Sequence, residues 1–458
     1  MSHTDRTKAL GTEPIGKLLL RLATPSVVSL GVLAFYNIVD AIFVGHGAGT
    51  LAIAGIGVAF PILLVIIGIG QLVGVGGASL LSRALGQKDR HLARKTLGNT
   101  ITLGVIVSAI IAVVGFRFRV RLTLFAGATT EILPHALSYI SVIVVGAFTL
   151  VMSSIFASTV RAQGQAARAT LPIIVGGVLN VGLDPIFIFG LKLGVAGAAW
   201  ATVVSAGVAL SYYVFSMLRR SSGVLLSLRC FVLSARIVGR ILAVGAASFV
   251  GVFAASVSTI VINRALAAGG GDLPIAIFSV VNRIVMFSRM PVFGVVDGAQ
   301  PIYGYNYGAG DYGRVIRTIR YALISAVTLA GVFWALFLLI PRGFLSVFSS
   351  DPNLLTEGAR ALRIIVIVLP LLTLQAVVGG LYQALGFARR ALAVSFLRDI
   401  VLIIPCVLIL SSIFRTTGVW IAFPIADFAS AVIVLPFLIL EIRRLRRLQR
   451  AVPPEAAG

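Results

Sequence analysis

The sequence predicts an all-α membrane protein of twelve transmembrane helices arranged as two pseudo-symmetric six-helix bundles, and three observations carry that prediction. Composition is the first: of 458 residues, 59% are hydrophobic and 12% charged, with a mean hydropathy of +1.05. A soluble domain is excluded by such a chain, and in lipid the backbone must satisfy itself within helices or a closed barrel. The second is the length of the apolar runs, which selects helices. The third is an internal repeat at a constant offset of 222 residues. Gly86 and Asp89 in LGQKDRHLARK fall on Gly308 and Asp311 in YGAGDYGRVIR, and Ala162, Gly164, Ala166 and Arg168 fall on Ala384, Gly386, Ala388 and Arg390. Gly194-Val195 matches Gly418-Val419 across a two-residue gap. Three matches in register point to a duplicated six-helix unit.

A span needs about 20 apolar residues. The first candidate, 15–44, follows a charged stretch with no cleavable apolar core and is expected to remain as an anchor. Its Pro25 cannot bond the carbonyl of Arg21 and is expected to kink it. In 51–82 the stretch GIGQLVGVGG lies mid-span and follows no strand, so Gly70 and Gly74 fit close helix packing, not a nucleotide loop. The spans 96–116, 135–160, 168–190 and 194–217 complete the first half. The second half repeats the set as 237–264, 274–303, 317–340, 356–385, 391–413 and 418–440. The chain thus divides into an N-lobe (1–217), a linker (218–236), a C-lobe (237–440) and a basic tail (441–458).

The formal charge of +23 is spread over short runs between spans, which argues against a nucleic-acid partner. Taking loops alternately, 27 of the 38 Lys and Arg lie on the side of the termini and 9 on the other, with Arg283 and Arg289 inside a helix. The positive-inside rule then puts both termini in the cytoplasm of a multi-pass protein of the inner (plasma) membrane. The tail EIRRLRRLQR reads as a helix end among lipid headgroups. Cys230 and Cys406 fall in a loop and a helix without CxxC spacing, and the four histidines show no metal spacing. No cofactor is expected.

Ionisable residues inside spans are functional candidates by default. Asp40 in FYNIVDAIFVG and Asp184 in NVGLDPIFIFG stand in otherwise apolar helices with no basic residue nearby in sequence. Asn180 and Asp184 are i and i+4 and share a helix face. Pro185 lacks an N–H and leaves the carbonyl of Val181 available to a cation or water. Asp184 is about six residues, roughly 9 Å, from the outer end of its helix, and Asp40, Thr202 and Tyr139 come to similar depth. Asp, Asn, Thr and carbonyl oxygens form a hard-oxygen set suited to a small hard cation such as sodium. A proton can take the same place. Asp297 lies near the cytoplasmic mouth with Arg289 two turns earlier and is expected to form a gate contact, whereas Asp399 beside Arg398 is expected to be a structural pair.

The segments FYNIVDAIFVG, SLLSRALGQKD, NVGLDPIFIFG followed by GVAGAAWAT, and GAQPIYGYNYGAG together resemble the multidrug and toxic compound extrusion (MATE) family over residues 12–446. The resemblance implies two six-helix lobes, an alternating-access cavity, and export of small organic cations in exchange for sodium or protons. By motif, Asp40, Asn180, Asp184 and Thr202 match the N-lobe cation or proton site, with Tyr36 and Tyr139 beside it. Pro25 matches the proline at which the first helix bends, and Pro185 is expected to be a second hinge. The branch with an acidic pair in the C-lobe is not matched, since AASFVGVFAAS and LPLLTLQAVVGG lack acids.

Three function classes compete: an ion-coupled exporter, a flippase for a lipid-linked precursor of the same wider superfamily, and an enzyme. No paired acid and base, metal cluster or nucleophile motif supports the enzyme. A flippase for anionic headgroups needs several cavity cations, and only Arg283 and Arg289 are candidates. The sequence therefore reads as a monomeric exporter of cationic amphipathic compounds.

Overall fold

The computed structural model describes residues 9–48, 50–126, 132–218, 228–270, 272–348 and 351–451, and every regular element among them is helical. In hydrocarbon an unpaired backbone group is costly, so each apolar run closes its hydrogen bonds within itself. α1 is Ile15–Ala48, α2 Thr50–Gly86 and α3 Arg90–Phe125. α4 is a bent pair, Leu133–Val145 and Ala147–Ala162, with 53° between its halves. α5 runs Ala166–Pro185 and continues as a π-helical turn, Ile186–Gly190, before α6, Val195–Leu218.

The second half opens with α7 (Ala235–Gly270), α8 (Asp272–Gly308) and α9 (Tyr312–Leu339). α10 is again bent, by 50°, between Pro352–Val366 and Leu369–Leu385. The last helical stretch, Ala388–Ala451, has 64 residues. That is about 96 Å at 1.5 Å per residue, against a hydrocarbon core of about 30 Å. It breaks at Arg415, where φ is 49° and ψ −132°, giving α11 (388–414) and α12 (416–451). Twelve spans result among the described residues.

Backbone geometry repeats with the sequence. Lys88 and Gly310, 222 residues apart, are both left-handed at φ 59° and 79°, as are Gly164 and Gly386 at 78° and 80°. Asp89 and Asp311 each cap a helix, their carboxylates accepting from the N–H of Leu92 and Arg314 at 2.9 Å. The two bends match as well, since Gly146 joins the halves of α4 and Val368 those of α10. One core cluster fills the first bundle around Val73, Ile143 and Ile155, and another fills the second around Leu266, Phe278 and Leu362. A third, with Leu22, Tyr303 and Leu381, joins the bundles.

Three details differ from the sequence reading. α3 extends well beyond the expected 96–116 at both ends, taking in Arg90, Arg94 and Lys95 at its start and Arg117, Arg119 and Arg121 near its end, as long basic side chains whose heads can reach water allow. α1 is one continuous helix through Pro25, as a spanning helix surrounded by neighbours tolerates one missing bond; bends of 53° and 50° lie within α4 and α10. At Gly146 there is no room for a Cβ beside Val203 of α6, so the glycine brings the two helices together where α4 turns. Finally, residues 441–451 are no separate tail: α12 continues to Ala451, with Glu441 buried against Arg390 and Arg444.

Candidate functional site

Along α5 the buried positions Ala169, Gly176, Asn180 and Asp184 fall at helical spacing on one face. α5 packs against α1 and α6, and on this face Gly176 lets the backbone of Ser205 on α6 approach. Asp184 is fully buried and Asn180 is 2% exposed. Both amide atoms of Asn180 lack a hydrogen-bond partner among the described residues, a costly arrangement unless a ligand or water supplies one.

Pro185 ends the regular α-helix, the N–H of Ile186 donates to Leu183, and that of Leu191 donates to Ile186 at 2.8 Å, closing a π-turn. Such turns recur at functional sites. Tyr139, on the first half of α4, is 4% exposed and shares a core cluster with Ile188, Ala198 and Ala199. Thr202 on α6 donates to the carbonyl of Ala198 at 3.1 Å. Asp40 and Tyr36 lie on α1, a helix that packs against α5, but their side chains fall outside the described residues.

On the side of the termini the two bundles are sealed together. α1 packs on α8, and α2 packs on both α7 and α8. Small residues make this possible. Gly294 and Gly298 of α8 receive Val27 and Ala23 of α1, on either side of Pro25. Gly86 of α2 lies against the carbonyl of Tyr305, and its repeat mate Gly308 against the carbonyl of Arg83. Ser79 donates to the carbonyls of Gln383 and Ala384, and Arg83 to that of Leu385 at 3.2 Å. Gly70 and Gly74 meet α4 at Ser154 and Ser158, the close packing the sequence predicted.

Asp297 pairs across this seam with Arg161 of α4, Nη1 to Oδ2 at 2.5 Å. The expected contact with Arg289 is corrected: the two residues are eight apart on one helix, a rise of about 12 Å, and Arg289 lies beside a different group. A cavity of about 30 Å³ remains at the seam, bordered by Arg161, Asp297, Ser79 and Ser158. Sequence reading had Arg161 only as a loop cation, and nothing local signals a partner 136 residues away.

Within the second bundle Arg398, 6% exposed, bridges Asp427 of α12 and Asp399 of its own helix, both at 2.6 Å. The pairing with Asp399 was expected; the stronger burial is at Asp427, which the sequence left unassigned. Arg289 stands within electrostatic reach of this group. Cys230 and Cys406 are free thiols in different bundles.

Two straps reinforce the seal. The segment before α1 puts Leu10 into the second bundle, where Asn306 donates to its carbonyl at 2.9 Å and Arg314 to it at 3.1 Å and to Glu13 at 2.7 Å. The segment before α7 docks on α3 of the first bundle: Asn99 donates to the carbonyls of Cys230 and Val232 and accepts from the N–H of Ser234, and Thr102 donates to Phe231. Leu10 and Val232 are 222 residues apart. The straps are mates in the repeat.

Comparison with known proteins fits this architecture. The MatE family model matches twice, over residues 25–186 and 247–409, one match per bundle. The multidrug export protein MepA of Staphylococcus saprophyticus is 27% identical over 403 residues, covering 88% of this chain and 89% of that protein. MepA of Staphylococcus haemolyticus is 25% identical, covering 95% and 96%. A solved structure of a multidrug resistance MATE family transporter of the MOP superfamily, in an outward-facing conformation, superimposes with a TM-score of 0.91 at 26% identity, covering 96% of this chain and 98% of that one. Two matched halves, twelve spans and a common fold along the whole length make this chain a multi-pass membrane transporter, a member of the MatE family.

Proposed function

We propose that the chain exports cationic amphipathic drugs or toxic compounds in exchange for protons or sodium by alternating access, with both termini in the cytoplasm. The observation that carries this reading is the buried Asn180–Asp184 pair on α5, a helix that packs against α1, which bears Asp40. Two carboxylates in an apolar surround attract an organic cation. A proton or sodium ion bound by Asp40, Asn180, Asp184 and Thr202, with Tyr36 and Tyr139 alongside, cancels that attraction, so coupling ion and cargo compete and exchange follows. Pro25 and Pro185 supply hinges on the two helices that meet at the site. Arg161 and Asp297 act as the gate on the cytoplasmic side. Export by MepA and the likeness to a multidrug resistance transporter support the cargo class.

The experiment is dye transport in inside-out vesicles with separately imposed proton and sodium gradients. Uptake driven by one of the two and lost in Asp184→Asn is expected. Uptake indifferent to both gradients contradicts the reading.

A further inference from the structure

On the face of the membrane opposite the termini, a cavity of about 680 Å³ opens between the end of α9, the short helix Pro341–Ser346 and the first half of α10. Arg342, Arg360 and Arg363 line it, together with Leu339, Ile340 and Ile364. All three arginines are exposed, and none forms an ion pair with a described residue. Arg363 donates through Nε to the carbonyl of Leu338 at 3.2 Å, which fixes its fork beside the cavity. Asp351 accepts from the N–H of Asn353 at the N-cap of α10, and Glu357 makes no ion pair with a described residue.

This concentration of charge is out of keeping with its surroundings. Only 9 of the 38 basic residues lie on this face, and a third of them meet at one cavity. Its rim is apolar, with Leu339 76% and Ile340 55% exposed. Five residues before Leu339 on α9, Trp334 donates its indole N–H to the carbonyl of Ile367 at the bend of α10, at 3.1 Å. Convergent guanidinium forks recognise phosphate oxygens, and the volume is that of a ligand site, well beyond one inorganic anion. A soluble anion gains nothing from the aliphatic rim, whereas a phospholipid sets its phosphate against the arginines and its chains along the leucine and isoleucine side.

We propose that this cavity binds the phosphate headgroup of an anionic phospholipid from the leaflet opposite the termini. The occupant braces the bent α10, whose first half supplies two of the three arginines. Because each basic side chain near a membrane surface adds to anionic-lipid affinity, removing three lowers it by about tenfold or more.

The test uses the full-length purified protein in detergent, with its melting temperature followed as phosphatidylglycerol, phosphatidylcholine of the same chains, or inorganic phosphate is added. Phosphatidylglycerol is expected to raise the melting temperature at concentrations where the other two do not. In the triple variant Arg342→Ala, Arg360→Ala, Arg363→Ala, about tenfold more lipid is expected for the same rise. A control triple variant at Arg117, Arg119 and Arg121, the other basic cluster on this face, is expected to respond like the parent. Should the triple variant fail to fold, Arg360→Gln alone, at an exposed position, is expected to need severalfold more lipid. Equal responses to the two lipids, an unchanged response in the variants, or a full response to inorganic phosphate each overturns the proposal. None of these readouts depends on transport, so the outcome is independent of the proposed export function.

Discussion

Arg161 and Asp297 meet at 2.5 Å across the seam between the two bundles, the first on α4 and the second on α8. Around them the seam is built of backbone approaches at Gly86, Gly298 and Gly308 that no side chain can relax. The pair is therefore the chemically adjustable part of an otherwise steric closure.

Removing one partner leaves the other charged and partly buried. Asp297→Asn is expected to shift the conformational balance toward opening on the side of the termini by about tenfold, of order 1–2 kcal/mol for a half-buried pair. A cysteine at Ser158, beside the seam cavity, reads this out as faster labelling in inverted vesicles. The exchange Arg161→Asp with Asp297→Arg is expected to restore slow labelling. A labelling rate untouched by Asp297→Asn counts against the gate.

Gly308→Val is expected to act more severely, since its side chain must displace the backbone carbonyl of Arg83. Export falls below a tenth of the parent level while the amount in the membrane is retained, because the closed seam, not the bundle cores, is what the valine disturbs. Normal export by this variant would falsify the closeness of the crossing.

Asp184→Asn is expected to abolish gradient-driven export of a cationic dye and leave insertion and amount unchanged. The substitution preserves volume at a fully buried position and removes only the charge. Cells that keep full dye resistance with this variant rule out a coupling role for Asp184.

Arg398→Ala is expected to destabilise the second bundle by about 3–5 kcal/mol, because Asp427 is left as an uncompensated buried charge. Low yield and an early melting transition are the readouts. The pair replacement Arg398→Met with Asp427→Leu is expected to recover much of the loss, and its failure to do so points to a role beyond structure.

Sidedness is checked with two cysteines. Lys192, in the loop after α5, is expected to label from outside intact cells with an impermeant reagent, and Gln87, after α2, only in permeabilised cells. The reverse pattern inverts the topology drawn from the charge distribution.

Much of this was legible in the sequence because hydropathy and repetition are local or periodic signals. The spans, the 222-residue offset that brings Lys88 onto Gly310, and the i,i+4 pair Asn180–Asp184 all follow from spacing. What escaped depends on contacts between distant segments. Asp297 shows an acid in a helix, but its partner is fixed by how α4 meets α8, and the plausible local choice, Arg289, makes no ion pair with it. The bends escaped for a related reason. Pro25 is a visible breaker and α1 absorbs it, whereas Gly146 becomes a corner only because Val203 stands beside it.

The crossed straps also set an order of assembly. Leu10 leaves the ribosome early, yet the Asn306 and Arg314 side chains that hold it lie 296 and 304 residues further on. At 5–20 residues per second, roughly 15 s or more of synthesis separates the segment from its clasp. The second strap waits for nothing, because Asn99 is made 131 residues before Cys230 arrives to meet it. The nascent chain therefore fastens its middle first and its beginning last, and the transporter acquires a closed face only when its second half is in the membrane.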